Sequence, residues 1–426
     1  MRQVCALIVA IAACHAAADD PSDGAVPEDG AVDAPSGPIT LGASSQLCKL
    51  LSNKNTSDPT PNDVQHRANI LGADLGIPVV HDDHLFVMFG DTIGFAGIWG
   101  NESHPDSVGV GLDTATAIAS QPSLLCTNLR MLTLTPAQSI GPSVNSSVQR
   151  DFAGVSMAAP SGHALGEYIK NPSGGGAANF PNLPGDFEVP SGAFAYGDAI
   201  YIFYTTVVSR SDITMKGSYL AKWTMPSPTG TPGYQILYAV DERFDAVGPL
   251  HGHFVNIAAE VAGEYVYLFG TGDYRRSQIY VARKRLDQLA TPGGFEELGT
   301  ITATPGYGET SVRYFPDVGR WMLLAEELTP TSNRIVAAFA DKPEGPWTAP
   351  MTVHDMGDAA FRGQYCCTSE DNCLGKQMFN CNRTGFYGTY LFPEITTSGG
   401  DFTVAYTMSS FSPYNVALFQ TTFHRP

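Results

Sequence analysis

Apolar and polar positions alternate in short blocks along most of the chain, and polar turns separate the blocks. Within residues 69–92, apolar side chains alternate between 75 and 79, and a nearly continuous apolar run follows at 85–89. Alternation is typical of a strand with one buried face, and a short continuous run is typical of a strand buried on both faces. Because the polar residues 81–83 lie between these segments, we expect a β-hairpin that turns between Asp82 and Asp83.

The same order of strand, tight turn and strand recurs along the rest of the chain. Strands are expected at 189–194, 200–204, 219–223, 235–239, 253–259, 265–269, 278–283, 309–315, 321–325, 334–340, 388–396, 402–406 and 414–419. With the opening hairpin there are five units of three or four antiparallel strands, at intervals of about 50–90 residues. Such units bury their faces by stacking radially, so the pattern predicts an all-β fold, a five-bladed β-propeller. The alternative of two β-sandwiches explains the repeated order less well.

The chain between the first two units is interpreted separately. Residues 109–120 are expected to form a further strand of the first unit. Residues 121–190 are rich in loop-forming side chains, and within them 172–184 is expected to be an ordered loop on the rim. A loop of this length is uncommon in a compact domain unless it is functional.

Composition narrows the class of protein. The 426 residues include 44 glycines and 30 prolines, and only 15% are charged, which is typical of a turn-rich β protein. The net charge of −18 argues against nucleic acid and against adhesion to anionic lipid by charge alone. It favours a neutral ligand over a phosphorylated one. No organic cofactor is expected, no motif has the ligand spacing of a metal site, and we expect a monomer.

The N-terminus predicts export. Residues 1–14 combine an early Arg2 with an apolar run too short to span a bilayer, and residues 11–14 (IAAC) resemble a lipobox that would be acylated at Cys14. The alternative is an ordinary signal peptide cleaved near Ala18. Residues 15–45 contain no Lys or Arg and are expected to be an acidic flexible tether, which would hold the folded domain, 46–426, off a membrane of the cell envelope.

Six cysteines remain once Cys5 and Cys14 are set aside with the signal. They are Cys48, Cys126, Cys366, Cys367, Cys373 and Cys381. An even number in an exported protein predicts three disulfides, whose connectivity the sequence leaves open. A zinc site in the cluster at 366–381 is the alternative, but the spacing lacks paired CxxC units.

Two aspartates lie in the arms of the opening hairpin. With the predicted turn, Asp74 falls roughly opposite Asp91, and directly opposed residues have Cβ atoms about 4.5–5.5 Å apart. Glycines at 72, 76 and 90 flank them and leave room for a ligand to approach the backbone. Glycosidases use a pair of carboxyl groups, so two of them at an open strand end predict this activity. The alternative is that each is only a turn residue, as an Asp beside a Gly often is.

Other polar side chains are expected near the two aspartates. In a propeller the first strand of each unit lines the channel, so the strand beginnings converge on one mouth. The residues expected to bind substrate there are Ser191, His253, Asn256, Glu309, Tyr387 and Tyr390. Each has a structural alternative, such as a surface glutamate, a hydrogen-bonded structural histidine or a core tyrosine.

Several of these segments resemble one known family. LGADLGIPV and LFVMFGDT, together with VPSGAF, YGETSVRYFPDVGRW, DKPEGPW and SSFSPYNVAL, are similar to a bacterial five-bladed propeller family long catalogued as a domain of unknown function, which includes endo-D-arabinanases. The resemblance runs from about residue 68 to 423. It implies cleavage of internal D-arabinofuranose bonds in arabinan, with Asp74 and Asp91 matching the catalytic aspartates.

The sequence predicts a glycoside hydrolase acting on a polysaccharide, with an endo-D-arabinanase as the leading hypothesis. Asp91 ends an apolar strand, where burial would raise its pKa, so Asp91 is assigned as the acid and Asp74 as the base or nucleophile. The reverse assignment stays open. An inverting outcome is expected by analogy. The alternatives are a non-catalytic carbohydrate-binding propeller lipoprotein and a glycosidase for L-arabinan or a fructan.

Overall fold

The computed structural model describes residues 37–52, 60–62, 64, 70–94, 106–132, 183, 187–209, 213–228, 234–369, 373–411 and 413–425. Within these ranges the chain forms twenty strands in five four-stranded antiparallel sheets. The predicted signal peptide with Cys14, the tether up to residue 36 and nearly all of the predicted rim loop lie outside the described residues. None of the helices in the described ranges is long and apolar enough to cross a bilayer.

Each sheet is one blade, and its strands follow chain order from the centre outwards except in the last. Blade 1 contains β2 (Ile70–His81), β3 (His84–Gly94), β4 (Ser107–Thr114) and β5 (Leu129–Met131). Blade 2 contains β6 (Phe187–Tyr196), β7 (Ala199–Ser209), β8 (Thr214–Thr224) and β9 (Tyr234–Glu242). Blade 3 contains β10 (Asn256–Ala262), β11 (Tyr265–Thr271), β12 (Tyr280–Arg285) and β13 (Glu296–Thr300). Blade 4 contains β14 (Tyr307–Phe315), β15 (Arg320–Leu328), β16 (Asn333–Ala340) and β17 (Met351–Asp355).

Blade 5 closes the ring by combining the two ends of the described chain. It contains β18 (Phe386–Ser398), β19 (Asp401–Ser410) and β20 (Asn415–His424), with β1 (Thr40–Ser52) as its outermost strand. The short helices are α1 (Ala115–Ser120), α2 (Leu125–Asn128) and α3 (Ala359–Tyr365), with 3-10 turns at Pro122–Leu124 and Leu286–Gln288. The innermost strands β2, β6, β10, β14 and β18 contact one another in sequence, and β18 contacts β2. The predicted five-bladed propeller is therefore confirmed.

Five hydrophobic clusters hold the blades together, one at each interface between neighbours. Between blades 1 and 2, for example, the rings of Phe86 and Trp223 meet edge to face with their centres 5.4 Å apart. Serines on the innermost strands add hydrogen bonds at the same interfaces. Ser191 accepts from the backbone N–H of Ile257, and Ser311 accepts from that of Leu391. Each blade face is thus buried by the next blade, as the radial arrangement requires.

Strand β1 begins inside the stretch that the sequence assigns to the tether. Residues 40–45 pair with the end of β20, so the tether boundary near 45 lies too far along the chain. This stretch contains few apolar residues. It is ordered by backbone pairing with β20, a strand almost 380 residues farther along the chain. A disulfide between Cys48 and Cys126 joins β1 to α2 and so links blade 5 to blade 1.

The cysteine predictions are confirmed. All six cysteines are paired, and the other two disulfides are Cys366–Cys381 and Cys367–Cys373. The zinc alternative is wrong because all four cysteines of that cluster are in disulfides. The stapled segment packs against blade 5, where Lys49 Nζ donates to the carbonyl of Cys373 at 2.9 Å.

The opening hairpin is confirmed, and its turn lies at Asp82 and Asp83, both of which have positive φ. The strand expected at 109–120 is half wrong, because β4 ends at Thr114 and α1 follows. Thr114 caps this helix by accepting from the N–H of Ala117, and Asp83 accepts from the N–H of Thr116. Residues 109–120 therefore form the end of a strand and then a short helix that Thr114 caps.

One end of the propeller axis is filled by an ion pair. Arg313 donates to Glu260 at 2.7 Å and to the carbonyls of Pro78 and Leu391 at 2.8 and 3.3 Å. These groups belong to β14, β10, β2 and β18, so one guanidinium joins four blades. The axial void beside it measures only about 10 Å³. A ligand of sugar size must therefore enter from the opposite end.

His354 supplies a test of the packing between blades 4 and 5. Its Nε2 lies 2.8 Å from the hydroxyl of Tyr406, and burial among aromatic rings lowers its pKa from 6.5 to about 4. The unfolded chain takes up the proton more readily, so stability is fully present above pH 6.5 and is lost as the pH falls towards 4. We expect about 3 kcal/mol to be lost over this window.

The measurement is the free energy of unfolding by denaturant as a function of pH. In His354→Phe the fall between pH 6.5 and 4 should be smaller than in the wild type by that amount. The half-exposed His251→Phe serves as the control and should keep the wild-type profile. An unchanged slope in His354→Phe would contradict the assignment.

Candidate active site

A cavity of about 200 Å³ opens where the innermost strands begin, at the end of the axis opposite Arg313. Its polar wall carries carboxyl, guanidinium and phenol groups. These are supplied by Asp74, Asp91, Tyr274, Arg275, Glu309, Tyr387 and Tyr414, and Asn256 adds an amide. The apolar wall comes mainly from blade 2, through Phe187, Val189, Val207, Ile213 and Met215. One wall of the cavity is therefore polar and charged, and the other is apolar.

Asp74 is held at the cavity by an irregular stretch of β2. The strand bulges on both sides of it, Leu75 has a φ of +62°, and Gly76 has a φ of +102°. Blade 5 fixes this geometry, since the hydroxyls of Ser409 and Thr407 donate to the carbonyls of Leu75 and Gly76 at 2.8 and 2.7 Å. Bulges next to functional sites re-aim side chains. Here the bulge directs the Asp74 carboxyl to Tyr387, whose hydroxyl donates to Oδ2 at 2.9 Å.

Asp91 lies in β3 with a φ of +30°, a backbone conformation that residues other than glycine rarely adopt. Its Oδ2 accepts a hydrogen bond from the hydroxyl of Tyr414 at 3.2 Å. The register pairs Asp74 with Gly90 and not with Asp91, because the bulges in β2 shift the ladder. The two aspartates nevertheless line the same cavity, and both are more than nine-tenths buried.

The environment of Asp74 favours the protonated carboxyl. Burial raises its pKa well above the ordinary value, and the nearby carboxylates of Asp91 and Glu309 raise it further. The hydrogen bond from Tyr387 and the charge of Arg275 act in the opposite direction but do not outweigh these effects. Among the described residues, Oδ1 of Asp74 has no hydrogen-bond partner. Asp74 therefore holds a proton in conditions where an exposed aspartate is ionised.

A second group of charges surrounds Arg275. Its guanidinium contacts Glu309 through two bonds of 3.2 Å and Glu326 at 2.9 Å. Burial opposes ionisation of both glutamates, but Arg275 outweighs it at Glu309, whose pKa is lowered. At Glu326 burial prevails and the pKa is raised well above the ordinary value. The cluster therefore consists of one cation, one carboxylate and one neutral acid.

The structure brings together only part of the predicted site. Asp74, Asp91, Asn256, Glu309 and Tyr387 line the cavity. The convergence of strand beginnings accounts for this, since these residues lie early in β2, β10, β14 and β18 or beside them on β3.

Three predicted substrate-binding residues lie elsewhere. Ser191 is fully buried and ties blade 2 to blade 3, and Tyr390 lines the axial void, where its hydroxyl has no partner among the described residues. His253 stacks on Tyr280 at 3.7 Å and lies 3.0 Å from Glu297, both on blade 3. None of these three lines the cavity, so their predicted placement at the mouth is wrong. Bulges between Pro190 and Gly192 and between Tyr387 and Tyr390 change where Ser191 and Tyr390 point, and His253 packs within blade 3.

Comparison with known protein families identifies the family of this chain. Residues 59–420 match the family described as "Domain of unknown function (DUF4185)". The chain belongs to this family. No curated protein matches the sequence.

Several solved structures resemble this DUF4185 protein at low identity. An α-L-arabinofuranosidase from Podospora anserina is 12% identical, with 89% of this chain and 95% of that chain covered and a TM-score of 0.41. The endo-arabinase from Bacteroides thetaiotaomicron is 12% identical, with 86% and 96% covered and a TM-score of 0.40. The exo-β-1,3-galactanase from Phanerochaete chrysosporium is 9% identical, with 88% and 64% covered and a TM-score of 0.46. Similarity at this level carries no activity over to this chain.

Sequence reasoning missed Arg275, Tyr274 and Glu326 in this DUF4185 protein. The first two lie in the connection between β11 and β12, where no periodicity marks them. Arg275 has a φ of +54°, which a sequence does not reveal. Glu326 lies in an apolar strand, and an acidic residue within an apolar run is the one sequence signal that could have identified it. Among the described residues, no cluster of three or more His, Cys, Asp or Glu side chains could hold a metal ion.

Gly90 offers a direct test of how closely Asp74 must be placed. A Cβ on Gly90 would lie 2.7 Å from Oδ1 of Asp74 and 2.8 Å from a methyl carbon of Leu75. Gly90→Ala must therefore push the Asp74 carboxyl aside. Under the glycosidase hypothesis drawn from the sequence, Asp74 is a reacting group, and small misplacements of such a group are costly. We therefore expect turnover of D-arabinan to fall by up to about 100-fold.

The assay compares turnover and melting temperature for Gly90→Ala with those of Gly363→Ala. A Cβ on Gly363 in α3 would meet nothing within 4 Å, so that variant should keep wild-type turnover, with a melting temperature equal to or slightly above that of the wild type because alanine favours a helix. Wild-type turnover in Gly90→Ala would show that the position of Asp74 does not matter.

Proposed function

We propose that this protein is a glycoside hydrolase that cleaves internal furanosidic links in a polysaccharide, an arabinan of D-arabinofuranose units. The observation that carries the proposal is the meeting of two buried carboxyl groups, Asp74 and Asp91, at one cavity. A tyrosine hydroxyl holds each of them, from Tyr387 and Tyr414 respectively. Glycoside hydrolysis needs two such groups, one to protonate the departing oxygen and one to activate water or attack the sugar.

The electrostatics support the reverse of the order of roles expected from the sequence. Burial and neighbouring carboxylates raise the pKa of Asp74, so Asp74 is the general acid that donates its proton to the leaving oxygen. Asp91 then acts as the base or the nucleophile. Both aspartates are buried, so burial alone does not distinguish them, whereas the charge of Glu309 raises the pKa of Asp74 further.

The walls of the cavity suit a small neutral sugar. A volume of about 200 Å³ lies below the usual range for ligand pockets, about 300–1,000 Å³, and it fits one furanose ring of the polymer beside the cleaved bond. The apolar side chains of blade 2 can pack against carbon atoms of the ring. Asn256 and Glu309 on the opposite wall can hydrogen-bond its hydroxyls. The resemblance to endo-D-arabinanases in LGADLGIPV and LFVMFGDT supports arabinan as the polymer.

Cellular location belongs to the same proposal. A lipobox ending at Cys14 and an acidic tether would anchor the propeller to a membrane of the cell envelope. The enzyme would then meet polysaccharide outside the cytoplasm.

The decisive experiment incubates the purified protein with D-arabinan and measures new reducing ends and product sizes. An endo-acting hydrolase releases a mixture of oligosaccharides, and the double variant Asp74→Asn/Asp91→Asn releases none. L-arabinan and a fructan in parallel identify a different furanoside preference. If the protein retains glycan in a pull-down but releases no product from any polymer, it is a carbohydrate-binding protein and not a hydrolase.

A further inference from the structure

Arg275 is the one cation among the described residues that line the cavity. Its side chain is 20% exposed and lies against the polar wall. Two hydrogen bonds of 3.2 Å join it to Glu309, and its Nε also lies 2.9 Å from Oε2 of Glu326. Gly308 makes room for this arrangement, since a Cβ there would lie 2.4 Å from Oε2 of Glu326 and 3.0 Å from the Arg275 side chain.

The guanidinium also lies against two aromatic rings. Its central carbon is 4.7 Å from the ring centre of Tyr387 and 4.6 Å from that of Tyr274. Cation–π contacts of this kind are stronger when the groups are desolvated. The hydroxyl of Tyr387 is the group that donates to Oδ2 of Asp74. A continuous chain of contacts therefore runs from Glu326 and Glu309 through Arg275 and Tyr387 to Asp74.

The two glutamates fix Arg275 more firmly than one partner could. A planar guanidinium bound by carboxyl groups on β14 and β15 cannot turn without breaking contacts on both strands. Its stacked position under Tyr387 follows from that anchorage. A lysine would keep the charge but would lose the plane that packs against the ring.

We propose that Arg275 is a positioning residue of the hydrolysis, which holds the Tyr387 hydroxyl on Asp74 so that the Asp74 proton is directed to the leaving oxygen. This inference rests on the proposed hydrolase function. Arg275 touches neither the leaving group nor the attacking water in this scheme. It acts through Tyr387, with Glu309 and Glu326 as its anchors.

The first test compares two substrates. In Arg275→Met, turnover of D-arabinan should fall about 10–100-fold with little change in KM, because the acid is present but misdirected. An aryl furanoside whose phenol leaves without protonation should lose less than about 3-fold. Arg283→Met, which removes an arginine paired with Glu296 on the same blade, should retain wild-type rates on both.

The second test is a double-mutant cycle with Tyr387→Phe. Since Arg275 acts through Tyr387, adding Arg275→Met to Tyr387→Phe should cost less than about 3-fold beyond Tyr387→Phe alone. Equal losses on both substrates, or additive losses in the cycle, would overturn the proposal. If Arg275→Met does not fold, Arg275→Lys, which keeps the charge beside both glutamates, carries the same comparisons.

A readout that needs no catalysis separates this proposal from the proposed function. In fluorotyrosine-labelled protein, the fluorine resonance of Tyr387, assigned with Tyr387→Phe, should shift in Arg275→Met and remain in place in Arg283→Met. An unmoved Tyr387 resonance would overturn the positioning role even in an active enzyme. A wild type that cleaves no glycan but shows the shift would refute the hydrolase and leave the contact between Arg275 and Tyr387 established.

Discussion

Asp74→Asn is expected to lower the cleavage of D-arabinan about 100- to 10,000-fold while sparing an aryl furanoside with an acidic phenol as leaving group. Asparagine keeps the shape of the side chain and its contact with Tyr387 but has no proton to give to the departing oxygen. A phenolate leaves without help, so its release does not need that proton. The dependence on the leaving group is therefore the signature of the general acid.

Asp91→Asn should behave differently. The base or nucleophile is needed whatever group departs, so we expect both substrates to lose activity to a similar extent. Asp287→Asn, an exposed aspartate paired with Arg285, is the matched control and should leave both rates unchanged. If Asp91→Asn spares the aryl furanoside and Asp74→Asn does not, Asp91 is the acid, as the sequence argument had it.

Glu260→Gln is expected to cost about 3–5 kcal/mol of stability, the largest loss of any single change of charge considered. Glu260 and Arg313 are mostly buried at the closed end of the axis, and the substitution leaves the guanidinium without its counter-charge. The carbonyls of Pro78 and Leu391 still accept from Arg313 but cannot neutralise it. Since β2, β10, β14 and β18 meet at this guanidinium, the whole ring should weaken together.

The measurement is the free energy of unfolding in urea for the wild type and for Glu260→Gln. Glu264→Gln removes the same charge from an exposed pair with Arg285 on the same blade, and it should leave the stability nearly unchanged. Equal stabilities for the two variants would show that the axial ion pair does not hold the blades. Restored stability in Glu260→Gln/Arg313→Met would confirm that the unpaired charge is the cause.

The hairpin of blade 1 shows how far local pattern reaches. Its apolar alternation, its polar turn and its glycines are local signals, and they placed Asp74 and Asp91 at one cavity. The same reasoning misplaced Ser191, His253 and Tyr390, because it took the beginning of a strand as a sufficient guide to the mouth. Bulges between Pro190 and Gly192 and between Tyr387 and Tyr390 change the depth at which each side chain lies.

The sequence by itself determined the repeated strands, the five blades, the three disulfides as a number and the candidate aspartates. These follow from side-chain periodicity, turn chemistry and residue counts, which act over a few neighbouring positions. Only the tertiary structure decided that β1 closes the ring, that Arg275 lies over the ring of Tyr387 and that burial beside two other carboxyl groups raises the pKa of Asp74. Those outcomes depend on which groups from distant strands meet in a buried space, where a few ångströms decide both packing and ionisation.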